Sequence, residues 1–233
     1  MKGPRGWIFR NVTLQARPGE LVALEGPSGS GRTCLLLALT GRMKTTEGKA
    51  EVDGLPLPRK MAAVRRFTGL GLVPGVSELD PALTVGEHLR ERAMLQHRFG
   101  DSLSALLHPR RERAAARDRV AAALKAAGFD PETLHRGDRT SVRDLERLEE
   151  IRLSIALALI GEPRVLAVDD ADAKLSGAER TEVWALLRSV AASGITVLAV
   201  CRDAPADITV IRTEEDRTEE EGATDALAET GRS

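Results

Sequence analysis

Hydrophobic runs and turn-forming residues alternate along the chain, as expected of a protein in which strands and helices follow one another. Three apolar runs of strand length predict buried strands, because both faces of a parallel sheet are covered and its strands carry few polar residues. These runs are residues 21–25, 164–168 and 195–200. Residues 8–16 predict a further, half-buried strand, and the segment between Gly48 and Gly54 predicts a hairpin at a sheet edge.

Helices are predicted beside these strands and also in a separate block. Residues 33–43 and 177–193 predict helices that flank the buried strands. From residue 84 onwards the pattern is helical, because Thr84 and Glu87 have the spacing of a capping box, which marks the start of a helix. Two more helices are predicted over 110–127 and 142–160.

The helix predicted over 110–127 is amphipathic, and Gly128 is well placed to end it. Its apolar face consists of Val120, Ala123, Leu124 and Ala127. We interpret the arginine-rich opposite side as a solvated face; contact with acidic lipid or nucleic acid is the alternative.

Composition and charge exclude several classes of protein. The chain has 233 residues, 42% of them hydrophobic, which is enough for one domain with a full-sized core. Its net charge of -1 argues against a dedicated nucleic-acid-binding protein, which carries a basic excess. The two cysteines, Cys34 and Cys201, are far apart in sequence and predict neither a disulfide scaffold nor a zinc site. Because no apolar run is long enough to span a membrane, we expect a cytoplasmic protein.

Residues 213–233 differ in composition from the rest of the chain. They contain eight acidic residues and two arginines, and Leu227 is their one large apolar residue. Such a segment buries too little apolar surface to offset the entropy lost on ordering. The sequence therefore predicts a disordered, solvated acidic tail.

A glycine-rich loop follows the first buried strand. It reads Gly26-Pro27-Ser28-Gly29-Ser30-Gly31-Arg32-Thr33, the spacing of a phosphate-binding P-loop with Arg32 at the position of the usual Lys. Closely spaced glycines let successive backbone N–H groups converge on a phosphate at the start of the next helix. We expect this loop and Cys34 to hold nucleotide phosphates, with Arg32 beside the β- and γ-phosphates and the Thr33 hydroxyl on Mg²⁺. Because a guanidinium is larger than an ammonium, phosphate affinity survives this change more readily than the positioning of a transition state.

Two carboxylates follow the buried strand 164–168. Ligands of an α/β sheet bind at the carboxyl ends of its strands, so Asp169 is a predicted Mg²⁺ ligand together with Thr33. Asp170 is the candidate base or water-orienting group. The alternative is that residues 170–172 cap the strand and open a solvated loop.

The order of these features resembles the ATP-binding subunit of ABC transporters, and the resemblance covers nearly the whole chain. The stretches that carry it are PGELVALEGPSGSGRT, LTGRMKTTEGKAEVDG, LTVGEHL, GEPRVLAVDD and ITVLAVCRD. The resemblance implies an α/β fold: a P-loop NTPase (RecA-like) core with N-terminal antiparallel β elements and an inserted α-helical subdomain. Residues 1–83 and 151–212 would form the nucleotide-binding core, 84–150 the helical subdomain and 213–233 the acidic tail.

Several positions depart from the family's pattern. Arg32 replaces the P-loop Lys, Gly75 lies near the position of the Q-loop Gln, and Asp170 replaces the catalytic Glu. Residues 145–149, Leu-Glu-Arg-Leu-Glu, align with the LSGGQ signature that grips the γ-phosphate held by the opposite subunit. Further departures are Leu175-Ser176, which lacks the family's Asp, Arg202 in place of the switch His, and Trp7 as the nearest, out-of-register, candidate for adenine stacking.

The resemblance implies a subunit that binds Mg-ATP and couples to a separate membrane permease at the inner face of the cell membrane. It would act as a homodimer or heterodimer, and nucleic acid is not an expected partner. Because both halves of each composite site are altered, we expect weak or lost ATP hydrolysis, with Asp170 as a compromised base. Two alternatives stay open: a nucleotide-independent pseudo-ATPase that serves as a scaffold or regulatory binding module, and a conventional slow ATPase.

Overall fold

The computed structural model of the chain describes residues 1–3, 6–99 and 109–213. In chain order its strands are β1 (Lys2–Gly3), β2 (Gly6–Trp7), β3 (Leu21–Glu25), β4 (Ala50–Val52), β5 (Leu55–Leu57), β6 (Thr68–Leu70), β7 (Val165–Val168), β8 (Thr196–Cys201) and β9 (Thr209–Arg212). Its α-helices are α1 (Arg32–Leu39), α2 (Met61–Phe67), α3 (Val85–Phe99), α4 (Pro109–Ala126), α5 (Arg147–Leu159) and α6 (Gly177–Ala192). All but the first residue of the predicted acidic tail lies outside the described residues.

A five-stranded parallel sheet in the order β6-β7-β8-β3-β9 forms the centre of the fold, and two small antiparallel hairpins, β1-β2 and β4-β5, stand apart from it. The predicted α/β fold is confirmed, as are the three buried strands to within one residue. The segment around Gly48 and Gly54 forms a hairpin as predicted, but within the described residues that hairpin pairs with itself and does not join the edge of the main sheet.

Both faces of the sheet are covered, because successive side chains of a strand point to opposite sides. In β3, Leu21 and Ala23 belong to a core that includes residues of α5 and α6. Val22 and Leu24 belong to a second core that includes residues of α1. This double burial explains why the strands of the sheet are nearly continuous apolar runs.

The strand predicted over 8–16 is wrong, since these residues have no regular secondary structure. Its apolar positions are nevertheless partly buried: Phe9, Val12 and Leu14 pack against the core on the α1 side. The alternating pattern therefore predicts correctly that one side of the segment is buried. It does not predict backbone pairing, because pairing depends on a neighbouring strand. No described strand pairs with this segment.

Several boundaries also differ from the sequence expectation. The helix predicted over 33–43 ends at Leu39, because Gly41 takes a φ of 72° and turns the chain. The helix predicted over 142–160 divides into a 3-10 turn over Val142–Asp144 and the α-helix α5. Strands β6 and β9 and helix α2 are short and had no sequence prediction.

The helices α3 and α4, which lie between β6 and β7 in chain order, agree with their sequence predictions. Thr84 and Glu87 form the predicted capping box, since the Glu87 carboxylate accepts from the Thr84 N–H at 2.8 Å and the Thr84 hydroxyl accepts from the Glu87 N–H at 3.3 Å. The apolar face of α4 packs into the core, where Ala123 and, just after the helix, Ala127 are buried. Gly128 ends this helix with a φ of 58°, as predicted.

Candidate phosphate-binding site

The carboxyl ends of β3, β7 and β8 meet at one edge of the sheet, because these strands are parallel neighbours. The glycine-rich loop follows β3, the aspartate pair follows β7, and Arg202 follows β8. This edge is where open α/β sheets bind their ligands. Residues more than 130 positions apart in sequence thus come together at the start of α1.

The loop over 26–33 has the geometry of an anion cradle. Gly31 precedes α1 with a φ of 79°, a left-handed conformation that glycine adopts without strain. A Cβ at Gly31 would lie 2.1 Å from the carbonyl oxygen of Ile8, so the N-terminal segment also requires glycine there. Within the described residues, the N–H groups of Gly29, Gly31, Arg32 and Thr33 have no acceptor. Unpaired N–H groups at a helix N-terminus bind phosphate.

The side chain of Arg32 is turned towards the sheet. Its Nη1 donates a hydrogen bond to the carbonyl oxygen of Cys201, the last residue of β8. The guanidinium also lies close enough to Asp169 to oppose the rise in the pKa of that carboxyl. In this conformation the cation links the loop to β8.

Thr33 and Asp169 are in direct contact, as the predicted metal pair requires. The Thr33 hydroxyl donates a hydrogen bond of 2.7 Å to Oδ2 of Asp169. Asp169 is buried, and this burial, together with the Asp170 carboxylate, raises the pKa of Asp169 above its ordinary value. The pKa of the adjacent Cys34 thiol is raised too, first by burial and then by Asp169.

Oxygen atoms that share an octahedral Mg²⁺, each about 2.0–2.1 Å from the ion, lie about 2.9 Å apart. The 2.7 Å separation of the Thr33 and Asp169 oxygens fits two adjacent positions of such an octahedron. Three or more His, Cys, Asp or Glu residues grouped as a metal site do not occur in the described ranges. The remaining ligands of an Mg²⁺ ion here would be phosphate oxygens and water.

The loop after β7 shapes the rest of this edge. Asp170 has a φ of 47°, and its N–H donates to Oδ1 of Asp169 at 3.0 Å. Asp172 accepts hydrogen bonds from the N–H groups of Arg202 and Asp203 at 3.0 and 3.2 Å. Asp172 thus caps the end of β8 and fixes the backbone at the position of the family's switch His. This contact differs from the alternative interpretation of residues 170–172 as a cap on the strand 164–168, which stays a prediction.

One contact at the loop had no sequence signal. The Ser30 and Thr213 hydroxyls share a hydrogen bond of 2.7 Å, and both residues are almost completely buried. The Thr213 N–H donates to the Glu25 carbonyl at 2.9 Å, and a Cβ at Gly26 would lie 2.6 Å from Thr213 atoms. The strand β9 therefore closes the side of the loop, although 183 positions separate Ser30 from Thr213.

The residues aligned with the signature form the start of α5. Glu146 is the N-cap residue, and its N–H donates to the Glu149 carboxylate at 2.9 Å. Arg147 pairs with Glu150 at 2.8 Å, while its Nε is buried without a partner among the described residues. This helix N-terminus therefore carries its own carboxylate caps.

The other positions singled out in the sequence are distributed around the fold. Ser176 is the N-cap of α6, where its hydroxyl accepts from the Glu179 N–H at 3.3 Å. Gly75 lies in a turn with a φ of 73°, and its N–H donates to Glu78 at 2.7 Å. Trp7 lies in β2, with the Lys2 ammonium 6.0 Å from its ring centroid.

None of the described helices is both long enough and apolar enough to cross a membrane.

Solved structures confirm the fold. The dimeric bacterial ABC transporter cassette MJ0796 superimposes with a TM-score of 0.67 at 23% identity, covering 89% of this chain and 87% of that one. The cbiO1 subunit from Clostridium perfringens, part of the ABC transporter complex cbiONQ, gives a TM-score of 0.69 at 21% identity and covers 91% and 82% of the two chains. At these identities the likeness concerns the fold alone.

Sequence comparison adds the family. The Nod factor export ATP-binding protein I of Cupriavidus metallidurans is 31% identical over 82% of this chain and 56% of its own length. The ribose import ATP-binding protein RbsA 2 of Rhizobium etli is 29% identical over 82% of this chain and 35% of its own length. The chain thus spans about half the length, or less, of these relatives. The family model for ABC transporters matches residues 9–173, which is well over half of the chain. The chain therefore belongs to the ABC transporter family, as an ATP-binding domain of that family.

Proposed function

We propose that this domain binds Mg-ATP at the glycine-rich loop and works with a separate membrane permease, with ATP hydrolysis weak or lost. The observation that carries the proposal is the direct contact between Thr33 and Asp169 beside a loop of unpaired N–H groups. Four N–H donors and the start of α1 suit phosphate oxygens, and the two side-chain oxygens suit Mg²⁺. Bound Mg²⁺ would neutralise charge on the phosphates.

Each residue of the loop has a defined role in this proposal. The backbone from Gly26 to Thr33, with the Cys34 backbone in the first turn of α1, surrounds the phosphates, and Thr33 and Asp169 hold the metal. Arg32 must exchange its bond to the Cys201 carbonyl for a phosphate oxygen. Loss of the bond to the Cys201 carbonyl offsets part of the Coulomb attraction between Arg32 and the phosphate. We therefore expect weaker nucleotide affinity than a cation without such a bond would provide.

Three structural features favour weak hydrolysis. Arg32 is engaged by the Cys201 carbonyl. Asp170 has a carboxylate one methylene shorter than Glu, which places a base about 1.5 Å further from its water and costs on the order of 10²-fold in rate. The start of α5 is capped by Glu149 and would oppose, rather than bind, the γ-phosphate of an opposite subunit.

The proposed partners follow from the relatives. The curated relatives are named for export of Nod factor and import of ribose, and one of the superimposed cassettes is dimeric. We propose that this chain likewise dimerises and docks on a permease at the inner face of the membrane. Residues 1–83 and 151–212 would form the nucleotide-binding core in that assembly, and 84–150 the helical subdomain.

Isothermal titration of the purified chain with ATP, with and without Mg²⁺, tests the proposal. We expect saturable binding in the micromolar range that Mg²⁺ strengthens, and a steady-state ATPase rate close to background. Asp169→Asn should remove the effect of Mg²⁺, while the matched control Asp203→Asn, at an exposed carboxylate, should keep it. Rapid turnover by the wild-type chain would contradict the hydrolysis part of the proposal alone.

The second candidate is a nucleotide-independent scaffold, and the observation that favours it is the bond between Arg32 and Cys201. In a scaffold this bond would be permanent, because no phosphate competes for the guanidinium. An absence of heat and of any change in melting temperature up to millimolar ATP would replace the first proposal with this one.

A further inference from the structure

Three arginines lie near the amino end of β6, at the end of the sheet opposite the glycine-rich loop. Arg42 Nη1 donates to the Thr40 carbonyl and to the Thr68 hydroxyl, each at 2.8 Å, and its Nη2 donates to the Thr68 carbonyl at 3.1 Å. Arg65 Nη1 donates to the Gly41 carbonyl at 2.9 Å. These contacts bring two guanidinium groups to the end of α1.

The third guanidinium arrives from α3. Arg92 Nε donates to the Leu157 carbonyl, in the last turn of α5, at 3.0 Å. The same turn abuts β6, because a Cβ at Gly69 would lie 3.2 Å from the Ala158 carbonyl oxygen. The cluster of Arg42, Arg65 and Arg92 therefore lies where α1, α2, α3 and α5 approach the first residues of β6.

Within the part of the chain that the structure describes, this cluster has no carboxylate partner. Across the described ranges none of its three members forms an ion pair. Burial, and then the charges of Arg65 and Arg92, lower the pKa of Arg42 to about 10, so it stays charged at neutral pH. Burial also lowers the pKa of Arg92. Arg164 provides a contrast near the same edge, since it is bound to the Asp53 carboxylate and its backbone pairs with Phe67.

Helix ends neutralise the cluster only in part. The carbonyls that accept from these arginines lie at the C-termini of α1 and α5 and at Thr68, the C-cap of α2, and each helix C-terminus is equivalent to roughly -0.5 of an elementary charge. Three such ends supply about 1.5 negative charges against three positive charges, which leaves a positive excess of about 1.5. Arg65 and Arg92 each donate one of their five N–H groups to these carbonyls, so most of their donors stay available.

We propose that the cluster of Arg42, Arg65 and Arg92 is a binding site for an oxyanion, distinct from the phosphate-binding loop. Guanidinium groups pair with the planar oxygens of a carboxylate and with those of a phosphate, so these are the two chemical forms of ligand that the site accepts. Arg65 is exposed and Arg92 half-buried, which gives a ligand access from solvent while Arg42 forms the floor.

Nuclear magnetic resonance of the arginine side chains tests this site directly. The Nε–H signals of the full chain are followed during separate titrations with glutarate and with inorganic phosphate, at constant ionic strength maintained with chloride. We expect saturable shifts of the cluster signals in the millimolar range. Tighter binding of glutarate identifies a carboxylate as the ligand, and tighter binding of phosphate identifies a phosphate.

Matched variants separate this site from other charges. Arg65→Gln removes one exposed guanidinium with a single hydrogen bond, so folding is preserved, and it should weaken binding by about tenfold. Arg164→Gln and Arg32→Gln should leave the affinity at the cluster within about twofold, since neither side chain belongs to it. Shifts that grow linearly without saturation, or equal affinity in Arg65→Gln and wild type, would overturn the proposal.

Discussion

The Thr33 hydroxyl donates a 2.7 Å hydrogen bond to Oδ2 of Asp169, which joins the first turn of α1 to the end of β7 across 136 positions of sequence. This contact places two oxygens at the spacing of neighbouring Mg²⁺ ligands. It also satisfies a buried carboxylate when no cation is present. The same pair therefore links metal binding to the stability of the nucleotide-free domain.

Replacing Asp169 by Asn should reduce the Mg²⁺-dependent part of ATP affinity by at least about tenfold. Mutation of residues that only support metal ligands already reduces metal affinity by about that factor. The reason is the loss of the negative charge, since the amide oxygen still accepts from the Asp170 N–H and the amide NH2 group faces the Thr33 hydroxyl, which then acts as the acceptor. Titration of each variant with ATP in the presence and absence of Mg²⁺ measures the effect. Unchanged enhancement by Mg²⁺ in this variant would show that the metal binds elsewhere.

The contribution of Asp169 to the stability of the nucleotide-free domain should fall as pH rises through its raised pKa. A carboxyl whose pKa is higher in the folded than in the unfolded state binds more protons when folded, so its contribution declines as pH increases above 3.8. Melting temperatures of wild type and Asp169→Asn, measured without Mg²⁺ from acidic to neutral pH, isolate this effect. The variant should be the more stable protein at neutral pH, and its advantage should shrink at acidic pH; a constant difference would refute the assignment.

The bond between Ser30 and Thr213 should couple β9 to the loop energetically. Thr213→Val leaves the buried Ser30 hydroxyl without its partner and should cost about 1–3 kcal/mol, whereas Ser30→Ala leaves the Thr213 hydroxyl its bond of 3.4 Å to the Glu25 carbonyl and should cost about 1 kcal/mol. The double variant should cost less than the sum of the two, because both hydroxyls are then absent. Urea unfolding of the four proteins gives the coupling energy. Thr181→Val, at an exposed helix position, is the control and should change stability by less than about 0.5 kcal/mol. If the stability losses of the two single variants simply add in the double variant, the bond between residues 30 and 213 contributes nothing.

Ser176 should be replaceable by the family's Asp but not by Ala. Its hydroxyl caps α6, and loss of an N-cap costs about 1 kcal/mol, which lowers the melting temperature of a domain of this size by about 2–4 °C. Asp accepts the same hydrogen bond, so Ser176→Asp should melt within about 1 °C of wild type. Calorimetry measures the melting temperatures of the two variants. Equal melting temperatures for Ser176→Ala and Ser176→Asp would show that the cap is dispensable.

Restoring family residues at the loop should raise ATP turnover. Arg32→Lys releases the Cys201 carbonyl, and Asp170→Glu extends the candidate base, so the pair should increase the rate on the order of 10²-fold. Replacing residues 145–149 with the LSGGQ signature should add to this, because it removes the Glu149 carboxylate from the start of α5. Arg164→Lys with Asp203→Glu makes comparable changes elsewhere and should have no effect. A restored pair that turns over no faster than wild type would show that another residue limits hydrolysis.

Much of the fold could be predicted from the sequence, because buried strands and helix caps are local signals. The runs at 21–25 and 195–200, and the Thr84 capping box, depend on neighbouring residues alone. The segment over 8–16 shows the limit: its alternating apolar residues are partly buried as predicted, yet they form no strand. Pairing requires a partner strand, which lies outside any local window.

The candidate site divides in the same way. Local spacing identified the loop and the Asp169 strand end, and parallel topology brought them together as expected. Two contacts of the site have no pattern in the sequence. Arg32 binds the Cys201 carbonyl, 169 positions away, and Ser30 binds Thr213, 183 positions away.

By itself, the sequence determined the family and the glycine-rich loop proposed to bind phosphate, since these depend on residue type and spacing. Only the tertiary structure decided which groups satisfy one another: the Asp172 cap on Arg202, the Glu149 cap on α5, and the cluster of Arg42, Arg65 and Arg92. Such pairings are set by the packing of distant elements, because a hydrogen bond requires atoms within about 3 Å and chain order does not fix that distance.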